Sequence, residues 1–139
     1  MTLPRVAAFF YGSFIRMDIL ALGGLKPEKF EVARLSGFDI HIGPHASISR
    51  SDRHCVYGIV VQATHEELGR LYSMDWVGTF LPEAVLVETR DGKLEPALCY
   101  ISPPQEKGPP DREYQARLVA AASEYGFPKW YIDRLESFQ

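Results

Sequence analysis

Apolar and polar positions fall into blocks along this chain, and the period changes from block to block. Val6 to Phe10 is a continuous apolar run halted at Tyr11-Gly12-Ser13, the mark of a short buried strand ending in a small-residue turn. Met17 to Leu22 predicts a short helix closed by Gly23-Gly24. From Phe30 to Ile42 the pattern has period two, with Phe30, Val32 and Leu35, then Phe38, Ile40 and Ile42, which predicts one or two strands with one wet face. Gly43-Pro44 ends them, since proline has no amide to continue a ladder. Ala46-Ser47-Ile48 then reads as a short edge segment, Ser49 to His54 as a polar turn, and Cys55 to Val61 as a strand buried on both faces.

Thr64-His65-Glu66-Glu67 has capping-box spacing, so a helix follows, with Leu68, Leu71 and Tyr72 on its apolar side. That helix delivers the chain to Ser73-Met74-Asp75-Trp76. Leu81 to Glu88 alternates as a strand, and Asp91-Gly92 is a hairpin signal that makes Leu94 to Ile101 its antiparallel partner. Ser102 to Pro110 carries four prolines and can only be a loop, the best lid candidate in the chain. Asp111 caps a helix from Arg112 to about Tyr125, its inner face marked by Tyr114, Leu118, Ala121, Ala122 and Tyr125. Gly126 stops that helix, and Pro128 opens a last one with Tyr131, Leu135 and Phe138 on one side. The elements describe one α+β domain spanning residues 1–139.

Composition narrows the function without naming it. With 46% apolar and 24% charged residues, 139 residues suffice for one sizeable core. A formal charge of −3, with scattered lysines and arginines, argues against nucleic acid as partner. No apolar run reaches the ~20 residues of a membrane span and the N-terminus lacks a secretory pattern, so the expectation is a cytoplasmic protein with no membrane partner. Cys55 and Cys99 lack any C-x-x-C spacing and read as two thiols, with a cross-strand disulfide as the alternative. His41 and His45 straddle Gly43-Pro44 and so lack a helical context, His54 and His65 lie further on, and no cysteine pair accompanies them, so no metal site is expected. Ser13 is not in a nucleophile elbow.

Two stretches can carry chemistry. A strand-to-helix turn at Tyr11-Gly12-Ser13-Phe14 exposes unpaired backbone amides suited to a carboxylate or a developing oxyanion, although tight turns of this composition are commonly structural. Asp75, beside Trp76 at a helix exit, is a candidate general base, against the plainer reading of a solvated aspartate ending a helix.

Taken together, several separated pieces resemble the gamma-glutamylcyclotransferase family: Tyr11-Gly12-Ser13, Val56-Tyr57-Gly58-Ile59-Val60, the helix ending in Asp75, Ala33-Arg34-Leu35 leading into Phe38-Asp39-Ile40, and Glu113-Tyr114 followed by Tyr125-Gly126-Phe127-Pro128. The resemblance implies a small mixed barrel-like sheet with flanking helices. It also implies a cofactor-free reaction that converts a small gamma-glutamyl amide to 5-oxoproline and a free amine. On that pattern the amides of Gly12, Ser13 and Phe14 hold substrate oxygens, Asp75 stands at the family's catalytic glutamate, and Tyr11, Trp76 and Tyr114 complete the substrate cavity. The family's Glu-Gly is Asp75-Trp76 here, and its Asn-Leu or Thr-Leu after the turn is Phe14-Ile15. Aspartate is shorter by ~1.5 Å, and misplacement by about 1 Å can cost on the order of 100-fold in rate. The alternative reading is therefore a relative that binds the small molecule but turns it over poorly. Glu83 is a conceivable substitute acid, though an exposed glutamate is the default. Nothing in the sequence gives the oligomeric state.

Overall fold

A computed structural model describes residues 4–102 and 107–139. Five strands close into a barrel in the order β1-β3-β2-β4-β5: β1 (Val6–Phe10), β2 (Glu31–Ile42), β3 (Ala46–Ala63), β4 (Leu81–Thr89) and β5 (Leu94–Ile101). β1 runs antiparallel to β3 and parallel to β5, with Ala8 opposite Leu98 and Phe9 opposite Cys99. That parallel pair is the seam. The barrel is closed on its other side by the short β2–β4 pairing, Ala33 opposite Thr89 and Arg34 opposite Glu88.

Four α-helices flank the barrel. A 3-10 turn (Gly12–Ile15) leads into α1 (Met17–Leu22); α2 (His65–Tyr72) follows β3; α3 (Arg112–Glu124) and α4 (Lys129–Ser137) close the chain. The capping box at α2 is complete, with Thr64 Oγ1 accepting from the Glu67 amide and Glu67 Oε1 from the Thr64 amide. Asp111 caps α3 through the Tyr114 amide. Arg134 donates twice to Asp39, tying α4 to β2, and the buried Gln115 amide bridges from α3 to the carbonyls of Leu135 and Phe138. The core runs through all five strands, with Phe9, Phe10, Ile40, Ile59 and Val87 essentially inaccessible.

The structure corrects the sequence pattern at four places. The stretch from Phe30 is one strand, and Phe30 itself stays outside it, exposed and against the Tyr125 ring. The apparent break in alternation is a bulge: Ser36 pairs with Cys55 and Phe38 with Arg50, so the inward side passes from Ala33 and Leu35 to Phe38, Ile40 and Ile42 across Gly37. Ala46 to Ile48 is not an edge, and Ser49 to His54 is not a turn; both belong to the 18-residue β3, and residues 51–54 are the excursion opposite the bulge. Their polarity reflects exposure rather than reversal. Pro128 is the N-cap of α4 rather than its first residue, its ψ of 144° being extended.

Asp91-Gly92 does turn the β4–β5 hairpin, held by Thr89 N–H to Lys93 O at 2.9 Å. Cys55 is half-buried and Cys99 buried, and both are free thiols; burial, then the Glu83 charge, pushes Cys99 up to about 12. Of the suggested lid, Pro103 to Glu106 lies outside the described residues.

Candidate functional site

Where β1 ends, Tyr11 is extended and Gly12 turns the chain with φ of +58°, a left-handed conformation that glycine adopts at no steric cost. Space also requires glycine there, because a Cβ would lie 2.9 Å from the Ala46 Cβ and 3.4 Å from the Tyr114 hydroxyl. The turn is then pinned from three directions. Tyr11 donates to the Tyr100 carbonyl on β5 at 2.8 Å, Ser13 Oγ meets the Tyr114 hydroxyl on α3 at 3.0 Å, and the Tyr125 hydroxyl at the end of α3 donates to the Ile15 carbonyl at 2.7 Å. The Asp111 amide bonds the Pro44 carbonyl, which fixes the start of α3 against the β2–β3 connection.

Tyr114 is the centre of this arrangement. Its oxygen accepts from Ser13 Oγ and, at 3.2 Å, from the Ala46 amide. A phenol has two acceptor positions and one proton, so with both acceptors used the proton is left to donate. Burial raises the Tyr114 hydroxyl above its ordinary value, opposed in part by the Ser13 and Ala46 hydrogen bonds and the Arg16 charge. It is therefore a neutral donor at physiological pH.

These groups form one end of a cavity of about 200 Å³. Ser13, Arg16, His45, Ser47 and Tyr114 supply polar groups there, and the His45 ring stands edge-on to Tyr114 at 4.9 Å. Phe14, Tyr72, Trp76 and Phe80, with Ile19, Val77 and the hydroxyl-bearing Ser102, line the remainder. The Phe14 ring is 5.0 Å from Tyr72 and 6.0 Å from Trp76, and Tyr72 is stacked on Tyr100 at 4.0 Å and lies 5.3 Å from Phe80. Burial holds the hydroxyls of Tyr11 and Tyr72 far above the usual phenol range.

Tyr11, Ser13, Phe14, Trp76 and Tyr114 thus share one cavity, with Gly12 shaping its turn. Asp75 does not join them. It is exposed at the tip of a turn closed by Val77 N–H to Met74 O, and no carboxylate is among the described residues that line the cavity. Glu83 is not among the described lining residues either: it stands on β4 opposite Cys99 of β5 and is paired with Arg50. Among the described residues, no three His, Cys, Asp or Glu side chains gather as a metal would require, and no helix is long and apolar enough to cross a membrane.

Sequence reasoning missed Arg16, Tyr72 and Phe80. Arg16 follows the turn by only three residues, and that proximity was the available signal. It lines the cavity with a largely buried side chain and bonds Asp18 at 2.6 Å. Tyr72 has helix-stripe spacing, which hides a cavity wall among core positions.

The fold recurs in known proteins. The model of the AIG2-like family matches residues 55–135, more than half of the sequence. The chain belongs to the AIG2-like family. Human gamma-glutamylcyclotransferase is 26% identical over 145 residues, covering 94% of this chain and 77% of that protein, and its bovine counterpart is 28% identical over the same shares. A solved gamma-glutamyl cyclotransferase superposes with a TM-score of 0.82 at 24% identity, covering 97% of this chain and 88% of the other. A yeast gamma-glutamyl cyclotransferase specific to glutathione gives 0.69 at 14% identity, covering 95% and 94%. At these identities the solved structures speak for the fold, and within the AIG2-like family this chain is gamma-glutamylcyclotransferase-like.

Proposed function

We propose that this AIG2-like protein binds a small gamma-glutamyl amide in the cavity beside the Tyr11 to Phe14 turn and cyclises it to 5-oxoproline, releasing the amine without a cofactor. The convergence of Ser13, Tyr114, Ala46 and Arg16 on one polar end carries this reading. Arg16 offers a cation for the glutamyl α-carboxylate, and the turn amides with the Tyr114 hydroxyl offer donors for the γ-carbonyl oxygen.

In the reaction the α-amine nitrogen attacks the γ-carbonyl carbon, forming the ring C–N bond while the carbonyl oxygen takes up negative charge. The attacking nitrogen gives its proton to a carboxylate, the original amide C–N bond breaks, and the carboxylate passes that proton to the departing amine. Donors around the oxygen contribute roughly 3 kcal/mol each at a well-formed oxyanion site. Holding the substrate folded on itself supplies much of the remainder, because ring closure is intramolecular. Asp75 is our candidate for the carboxylate: it directly precedes Trp76, which lines the cavity, on an exposed turn at the cavity's edge.

A second reading, binding without turnover, is favoured by the exposure of Asp75 and the lack of a carboxylate among the described lining residues. Incubation with a panel of gamma-glutamyl amino acids and amines, followed by assay of 5-oxoproline, separates the two. We expect release that Asp75→Asn abolishes and Asp75→Glu raises. Measurable binding with no release across the panel would establish the second reading, and normal turnover by Asp75→Asn would exclude this residue as the base.

A further inference from the structure

The cavity is divided by the turn itself. Ser13 sends its hydroxyl to Tyr114 at the polar end, while the next residue, Phe14, sends its ring toward Tyr72 and Trp76. The glutamyl half of a ligand is fully polar and matches the first end. Nothing in it matches the second, where four aromatic rings line the wall, backed by Ile19 and Val77. Trp76 is 54% exposed although its ring meets Phe14 at 6.0 Å, so it leaves a large apolar surface open at the cavity's lip.

Resting on the functional reading above, we infer that the preferred substrate is a gamma-glutamyl amide whose amine half is bulky, apolar and uncharged at the side chain, aromatic or branched aliphatic, seated against Phe14, Tyr72, Trp76 and Phe80. Rings can also attract a cation through their faces. A cationic amine half is disfavoured here because Arg16 shares the cavity and no carboxylate is among the described lining residues. A glycine-sized amine half leaves the aromatic end filled only by water.

The test uses the full chain and reads the aromatic end directly. The sequence has two tryptophans, and Trp130 lies on α4 against Tyr57 and Tyr131, among residues outside the cavity lining. In Trp130→Phe, emission therefore reports on Trp76. Gamma-glutamylphenylalanine and gamma-glutamylleucine are expected to shift that emission and to bind at least about tenfold more tightly than gamma-glutamylglycine, the range a hydrophobic pocket gives for small differences in apolar size. The amide formed through the lysine α-amine, which keeps its side-chain ammonium, is expected to bind no better than the glycine amide.

Trp76→Ala, or Phe80→Ala as a second variant, is expected to bring the phenylalanine-to-glycine preference toward one. That preference is read as the ratio of KM values for 5-oxoproline release, or of dissociation constants by calorimetry where no release occurs. Equal affinity of the unmodified protein for the glycine and phenylalanine amides, or a preference for the cationic amide, overturns this inference and leaves the functional reading standing. Failure of every gamma-glutamyl compound to bind or turn over overturns both.

Discussion

The turn at 11–16 and the segment at 73–80 border the same cavity, yet the chain holds them very differently. The first is buried and tied to β5 and to both ends of α3 by Tyr11, Ser13 and Tyr125. The second is mostly exposed; the hydrogen bonds seen in it are local, Val77 N–H to Met74 O and Ser73 to Arg70 O, and its remaining hold is apolar packing, Met74 and Val77 on the core and Trp76 and Phe80 on the rings of Phe14 and Tyr72. Directional donors need fixed geometry to be worth their strength, whereas apolar contact tolerates displacement. A cavity with one wall of each kind can orient a polar group rigidly while its other side adapts. That is the arrangement expected where one half of a ligand is constant and the other varies.

The sharpest way to break this comparison is at Gly12. Alanine there faces both a left-handed backbone and a contact of 2.9 Å with the Ala46 Cβ, which is anchored to β3 and has little room to give. The two penalties together are expected to cost about 3 kcal/mol of stability. Urea unfolding of Gly12→Ala measures that loss, and binding of a gamma-glutamyl ligand should fall with it because the amides are re-aimed. A change below about 0.5 kcal/mol would mean that the turn is far less constrained than its contacts imply.

Tyr114→Phe is expected to come next. It removes the oxygen on which Ser13 and the Ala46 amide converge, leaving the Ala46 donor without its partner, at a cost of about 2 kcal/mol. Ligand affinity should fall at least about tenfold through the lost donor, by the 1.4 kcal/mol-per-decade conversion. Trp76→Ala, by contrast, should leave stability nearly intact, so the two variants compare the two walls directly.

Raising the pH probes the buried phenols, Tyr114 of the polar wall among them, without substitution. Burial raises the hydroxyls of Tyr11, Tyr72, Tyr114 and Tyr131. In the unfolded chain these phenols ionise near pH ~10, and in the folded protein they hold their protons to higher pH. Their contribution is therefore complete below about pH 10 and is lost as pH rises toward the folded values. Urea midpoints recorded from pH 8 upward should hold and then fall above about pH 10, with a shallower fall in Tyr114→Phe.

The same contrast explains what was legible in the sequence. Elements set by local chemistry can be read: the Thr64–Glu67 capping box, the Asp91-Gly92 hairpin and the Asp111 cap each satisfy backbone groups within a few residues. The barrel's seam between β1 and β5 and the bulge at Gly37 depend on pairing at long range, and the bulge left one strand and two equally open in the pattern. At the site, Tyr11 to Phe14 announces itself because small residues interrupt an apolar run. Tyr72 and Phe80 do not, since a cavity-wall aromatic and a core aromatic look alike until the space beside them is known. Asp75 shows the opposite limit: sequence order aligned it with a catalytic acid, but its burial and direction depend on a turn whose conformation no local motif specifies.

The smallest expected effect is on stability, and it decides how the largest functional one is interpreted. Asp75 is exposed, and no hydrogen bond or ion pair involves it among the described residues. Asp75→Asn keeps its shape and removes only a solvated charge, so thermal or urea unfolding should move by no more than about 0.5 kcal/mol. Tyr114→Phe cannot separate chemistry from folding in this way, because it disturbs both. If Asp75→Asn unfolds like the unmodified protein and still loses 5-oxoproline release, the loss belongs to proton transfer, and the loosely held wall supplies the acid while the rigid wall supplies the donors. If the variant is instead destabilised by well over 1 kcal/mol, about twice the ordinary surface effect, Asp75 helps to hold the 73–80 segment in place, and the contrast between a fixed wall and an adaptable one no longer holds.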